Sequence, residues 1–136
     1  MIFSIEVLGA IAMSPVFIGR FGIAKGIWYS IFHSISAFCN AGFDLMGIEN
    51  KFSSLTAFSG NIIINVTIML LILIGGIGFL TWDDFATNKL KWKKYRMQTK
   101  VVLTMSSILL IFPFIYFFYG EFNALPIKER ILASAF

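Results

Sequence analysis

The sequence predicts an all-α membrane protein whose chain crosses the bilayer, dips part-way into it and crosses again. Three observations predict this. Of 136 residues, 58% are hydrophobic and 13% charged, where an average soluble domain has about 25% charged. The apolar residues, sixteen phenylalanines among them, fall in runs, two of which reach the ~30 Å of a hydrocarbon layer as helices. Six of the eleven basic residues (Lys89, Lys91, Lys93, Lys94, Arg96 and Lys100) crowd between two such runs.

The elements follow in order. Residues 1–19 are mostly apolar, interrupted by Glu6 and Pro15, and reach about 28 Å as a helix, barely a crossing. After the polar break "GRFGIAKG", residues 27–38, "IWYSIFHSISAF", reach only about 18 Å, which makes them a half-helix that enters and does not span. Residues 39–43, "CNAGF", are non-helical in character, and 44–59 carry Gly47, Glu49, Asn50, Lys51 and several serines, a loop returning to water on the side of entry. Residues 60–81, "GNIIINVTIMLLILIGGIGFLT", hold no charge and read as the clearest span at roughly 33 Å. A basic linker, 82–98, precedes a second long span over 99–119 that contains Pro113. Trp82, Trp92 and Tyr95 at one end and Tyr116 and Tyr119 at the other suit the two aromatic belts. The last stretch turns at Pro126 and starts an amphipathic helix. One complete unit followed by the start of another implies an internal repeat within a longer chain.

Six Lys/Arg in 82–100 against three (Arg20, Lys25 and Lys51) in 20–59 put the basic linker in the cytoplasm, so the half-helix enters from outside. The formal charge of +4 is thus a topology signal and not a nucleic-acid groove. A single cysteine, Cys39, excludes an intramolecular disulfide and a cysteine metal cluster. No cationic leader with a small-residue cleavage site precedes the first run, so the start is not read as a signal peptide.

Backbone that is not helical cannot face lipid, because each unpaired N–H or C=O there costs several kcal/mol; residues 39–43 therefore line something wet. A half-helix ending at Phe38 presents the negative end of its dipole to that place, which favours a cation. Gly42 permits backbone angles that turn successive carbonyl oxygens toward one axis, where they replace a cation's hydration shell. An uncharged carbonyl site suits potassium. Asp44 keeps a divalent ion open as the alternative.

"FHSISAFCNAGFDLMG" resembles the second pore loop of the Trk/Ktr/HKT potassium transporter superfamily, "GGIGF" at 75–79 resembles the inner helix that follows it, and "KERILASAF" the opening of the third pore helix. The bacterial Ktr membrane subunits are the nearest likeness. The resemblance implies a potassium-channel-like fold: outer helix 1–19, pore helix 27–38, filter strand 39–43 and inner helix 60–81, then the linker and the start of the next unit. It implies four such helix–pore loop–helix units around a central pore, of which this chain holds about one quarter. By the same likeness Asn40, Ala41, Gly42 and Phe43, with Cys39 at the entrance, form one wall of the filter, and potassium is bound through the backbone of Asn40, Ala41 and Gly42. It further implies potassium uptake with sodium as a co-requirement, no enzymatic step, and a bacterial plasma membrane. The implied partners are the remaining pore units, a homodimer of the complete transporter, membrane lipid, and a cytoplasmic nucleotide-binding ring that docks on Lys89, Lys91, Lys93 and Lys94. The alternatives are a short homo-oligomeric channel and a non-transporting accessory subunit.

Several residues have plainer readings. His33, the one histidine, is expected to be packed and hydrogen-bonded, since a metal needs several ligands. Ser34 and Ser36 lack an acid–base partner and are expected to bond backbone. "GGIG" lacks the strand and lysine of a phosphate loop and reads as close helix packing. Glu6 is either an interface-reaching carboxylate or an intramembrane functional group. Asp83 and Asp84 are expected to pair with the linker's lysines.

Overall fold

The computed structural model describes residues 2–48, 54–88, 91–121 and 126–135. These form α-helices and short 3₁₀ turns, with no strand among them: α1 (Ile2–Phe21), α2 (Ile23–Phe38), α3 (Ile62–Gly76), α4 (Phe79–Asn88), α5 (Met97–Tyr119) and α6 (Ile127–Ala135). They belong to two compact units, Met1–Gly76 and Ile77–Ala135. The fold is an all-α membrane fold. α1 and α5 are the helices long and apolar enough to cross a bilayer singly.

In the first unit α1, α2 and α3 pack around Met13, Phe17, Ile64, Ile68 and Leu71. α1 runs two residues beyond its expected end and makes a full crossing length at 20 residues. Pro15 removes one helical donor from α1 and would orphan the carbonyl of Ile11. The hydroxyl of Ser14 donates to that carbonyl at 2.8 Å, which keeps the helix satisfied in lipid. The expected break "GRFGIAKG" reduces to Gly22 alone, and α2 begins at Ile23, four residues early. With 16 residues it is about 24 Å long, still short of the ~30 Å hydrocarbon layer.

Every residue of α2 classed as buried except Gly26, Tyr29 and Ala37 is polar: Ser30, His33, Ser34 and Ser36. Its outward face carries Ile27, Trp28, Ile31 and Ile35. This inverts the soluble pattern, and it works because each inward polar group has a partner. Ser30 donates to the Gly26 carbonyl at 2.8 Å and Ser34 to the Glu6 carbonyl of α1 at 2.6 Å. Gly9 makes room for the second contact, since a β-carbon there would sit 2.6 Å from the Ser34 oxygen.

The span expected over 60–81 is not one helix. α3 ends at Gly76, and α4 starts at Phe79 after Gly78, whose φ is +86°. Three glycines in four residues cost helix propensity where hydropathy alone shows an unbroken run. Part of the expected linker 82–98 is thus helical.

In the second unit α4 packs on the start of α5 through Phe85 and Tyr95, whose rings lie 5.5 Å apart. α5 exposes Leu109, Phe112 and Tyr116 within this unit, as a helix covered by lipid or by neighbouring membrane helices does. α6 is tied to the end of α5 by Arg130, whose Nε–H donates to the Phe118 carbonyl at 2.6 Å and whose guanidinium lies 4.1 Å over the Phe118 ring.

Candidate functional site

The end of α2 is shaped by a left-handed cap. Asn40 has φ +52°, a conformation that asparagine tolerates better than most residues. The turn lets Cys39 N–H reach the Ile35 carbonyl at 2.9 Å, Asn40 N–H the Ala37 carbonyl at 3.1 Å and Ala41 N–H the Ser36 carbonyl at 2.9 Å. The last two are the paired bonds of a Schellman motif. They satisfy helix-end carbonyls with the donors of the loop itself.

The loop's own acceptors are left over. Among the described residues the carbonyls of Cys39, Asn40, Ala41 and Gly42 accept no hydrogen bond, and all four residues are exposed. Gly42 follows with φ +72° and open space where a β-carbon would be. Its requirement for glycine comes from backbone angle and not from crowding. Phe43 differs from the four before it. Its carbonyl accepts the Ser36 hydroxyl at 2.7 Å, and its N–H donates to the same oxygen at 3.0 Å.

His33 lies one turn before Ser36 on the same face of α2. Its Nδ1 is 2.7 Å from the Tyr29 carbonyl, which only accepts, so Nδ1 carries the proton; Nε2 then accepts from Leu45 N–H at 3.5 Å. Its ring stacks on Phe17 with centroids 5.3 Å apart. The expected packed role holds. Asp44 is exposed, and its Oδ1 accepts Met46 N–H at 2.9 Å, closing a turn at the start of a 3₁₀ segment. No group of three metal-ligating side chains occurs among the described residues. A cavity of about 250 Å³ lies beside the loop, bounded by His33, Ser36, Asn40, Gly42, Asp44 and Ile68.

Gly75 and Gly76 of "GGIG" bear on the loop, Gly76 facing the Asn40 amide. A β-carbon on Gly75 would collide with the carbonyl oxygen of Phe38, the last residue of α2. The side-chain amide of Asn40 reaches the Ile72 carbonyl of α3 at 3.5 Å. α3 therefore backs the point where α2 ends.

The basic region pairs differently from expectation. Asp84, buried on α4, accepts the Thr99 hydroxyl at 2.5 Å and the Arg96 main-chain N–H at 2.9 Å, and the Arg96 guanidinium lies 3.5 Å away. Asp83 bonds the same guanidinium at 3.1 Å. Among the described residues the partner is an arginine and a helix N-terminus, not the lysines, because a planar fork serves two adjacent carboxylates at once. The Thr99 hydroxyl first, then the Arg96 N–H and guanidinium, hold the Asp84 carboxyl below its ordinary 3.8 against the opposing effect of burial. Sequence reasoning placed both aspartates in the linker but missed that Asp84 caps α5. Lys91, Lys93 and Lys94 are exposed, and Lys89 lies outside the described residues.

Residues 1–134 match the family of TrkH cation transport proteins. The chain belongs to that family. It is 46% identical over 125 residues to the potassium/sodium uptake protein NtpJ of Enterococcus hirae, covering 92% of this chain and 26% of that protein. It is 33% identical over 139 residues to the Ktr system potassium uptake protein B of Bacillus subtilis, covering 98% and 30%, and 31% identical over 110 residues to that of Vibrio alginolyticus, covering 78% and 22%. The chain thus spans between a fifth and a third of the length of these relatives. Family membership and the apolar helices place it in a bacterial membrane, crossed more than once.

Proposed function

We propose that this chain is one helix–pore loop–helix unit, with the start of the next, of a transporter that takes up potassium through a filter of backbone carbonyls. α2 acts as the pore helix, Cys39 to Phe43 as the filter strand, and the main chain of Asn40, Ala41 and Gly42 supplies the ion's ligands. The observation that carries the reading is the row of four successive carbonyls, Cys39 to Gly42, left without hydrogen bonds among the described residues beside the negative end of α2. Such acceptors persist in a membrane where they meet water or a cation. Stripping potassium of its water needs this kind of uncharged oxygen array, and no covalent bond is made or broken.

The relatives' names support potassium as the cargo, and the name of the Enterococcus protein supports a part for sodium. In this reading sodium is co-required, the other filter walls come from further units of the same transporter, and two complete transporters pair. The exposed lysines 91, 93 and 94, with Lys89, are the contact for a cytoplasmic nucleotide-binding ring or for anionic lipid. The test is Gly42→Ser in the complete transporter. A side chain at φ +72° disfavours the required carbonyl geometry, so potassium preference over sodium should fall by roughly tenfold, the scale of 1–2 kcal/mol of backbone strain. Unchanged preference would remove this loop from the pathway.

A further inference from the structure

Ser36 is the residue of α2 that meets the filter loop twice. Its carbonyl takes the Ala41 N–H at 2.9 Å, and its hydroxyl both donates to the Phe43 carbonyl at 2.7 Å and accepts the Phe43 N–H at 3.0 Å. One residue on a rigid helix therefore fixes both sides of Gly42, around which a β-carbon would meet open space. Ser36 is itself buried, 8% exposed, so its side of these bonds is shielded from water.

The two hydroxyl bonds also divide the loop. The Phe43 oxygen is committed to Ser36, while the oxygens of Cys39 to Gly42 are uncommitted among the described residues. We infer that Ser36 is a positioning residue of the filter: it withdraws the Phe43 carbonyl from the ion path and sets the Gly42 peptide, so that the array ends at Gly42. This rests on the pore reading above. A serine suits the task because its hydroxyl is both donor and acceptor. Ser34, on the same helix, spends its hydroxyl on the Glu6 carbonyl of α1 instead.

The experiment measures potassium, rubidium and sodium uptake by the complete transporter carrying Ser36→Ala, Ser36→Thr, Ser34→Ala or Gly42→Ser. Ser36→Ala is expected to lower potassium preference over sodium roughly tenfold, the scale of one or two neutral hydrogen bonds. Ser36→Thr keeps the hydroxyl and should restore the preference, and Ser34→Ala should leave the ratio unchanged whatever it does to expression. Should Ser36→Ala not reach the membrane, Ser36→Cys is read instead; its weak donor and acceptor should also lower the ratio. Wild-type preference in the alanine or cysteine variant, with Gly42→Ser altered, overturns the role of Ser36 and leaves the pore reading standing. Equal losses in alanine and threonine variants also overturn it, since volume and not the hydroxyl would then matter. No change in Ser36→Ala and Gly42→Ser together removes the pore reading itself.

Discussion

Gly75 of α3 lies against the main-chain carbonyl of Phe38 so closely that a β-carbon at position 75 would collide with that oxygen. The last peptide of α2 and the loop after it are thereby seated directly on the backbone of α3. Gly75→Ala should force the two helices apart at this point and destabilise the protein by about 1–3 kcal/mol, the range for overpacking. Gly76→Ala is the internal control. Its β-carbon would meet only the Asn40 amide at 3.6 Å, an ordinary contact, so the effect should stay near 1 kcal/mol or less, as for helical Gly/Ala exchanges. Thermal unfolding of the two variants in detergent checks the difference.

Asp84 gives a pH dependence whose sign follows from its neighbours. Thr99 and Arg96 hold its carboxyl below 3.8 in the folded chain, so the contribution is fully present above the unfolded value and is lost as pH falls through the lowered folded value. Asp84→Asn should lower the melting temperature at pH 7, and its melting curve should converge on that of the wild type in strong acid. A constant gap across that range would show that the charge is not what holds α4 to the start of α5.

On the proposed contact, reversing the charge of Lys91, Lys93 and Lys94 together with Lys89 should weaken binding of a cytoplasmic nucleotide-binding ring without altering potassium preference, because these residues lie far along the sequence from the filter loop. Binding measured on immobilised transporter at low and physiological salt reads the effect, which screening should diminish. Unchanged ring binding at both salts would leave anionic lipid and topology as the lysines' role.

Much of this was legible in the sequence, for a physical reason in each case. α1 and α5 show as apolar runs because lipid exposure leaves few other residues acceptable on any face. The short α2 and the irregular "CNAGF" show because glycine and asparagine interrupt the run. Other features were hidden. Hydropathy sees 60–81 as one span because glycine is nearly neutral on such scales, whereas the break at Gly76 and Gly78 is a matter of backbone entropy and angle. Lys25 made the start of α2 look like a polar gap, although an exposed lysine in a first helical turn is tolerated. The pair of hydrogen bonds between Ser36 and Phe43 spans seven residues, a separation at which no helical or strand period flags a pair. The capping of α5 by Asp84 joins positions 15 residues apart across a loop, and only the fold brings them together.

The central claim is that a monovalent cation binds the main-chain oxygens of Asn40, Ala41 and Gly42. Its most direct test is the anomalous scattering of rubidium or thallium soaked into crystals of the complete transporter. The account predicts peaks within coordinating distance of those three carbonyls, ending at Gly42, and their loss in Gly42→Ser. Peaks elsewhere along the pore, with none beside this loop, would contradict it.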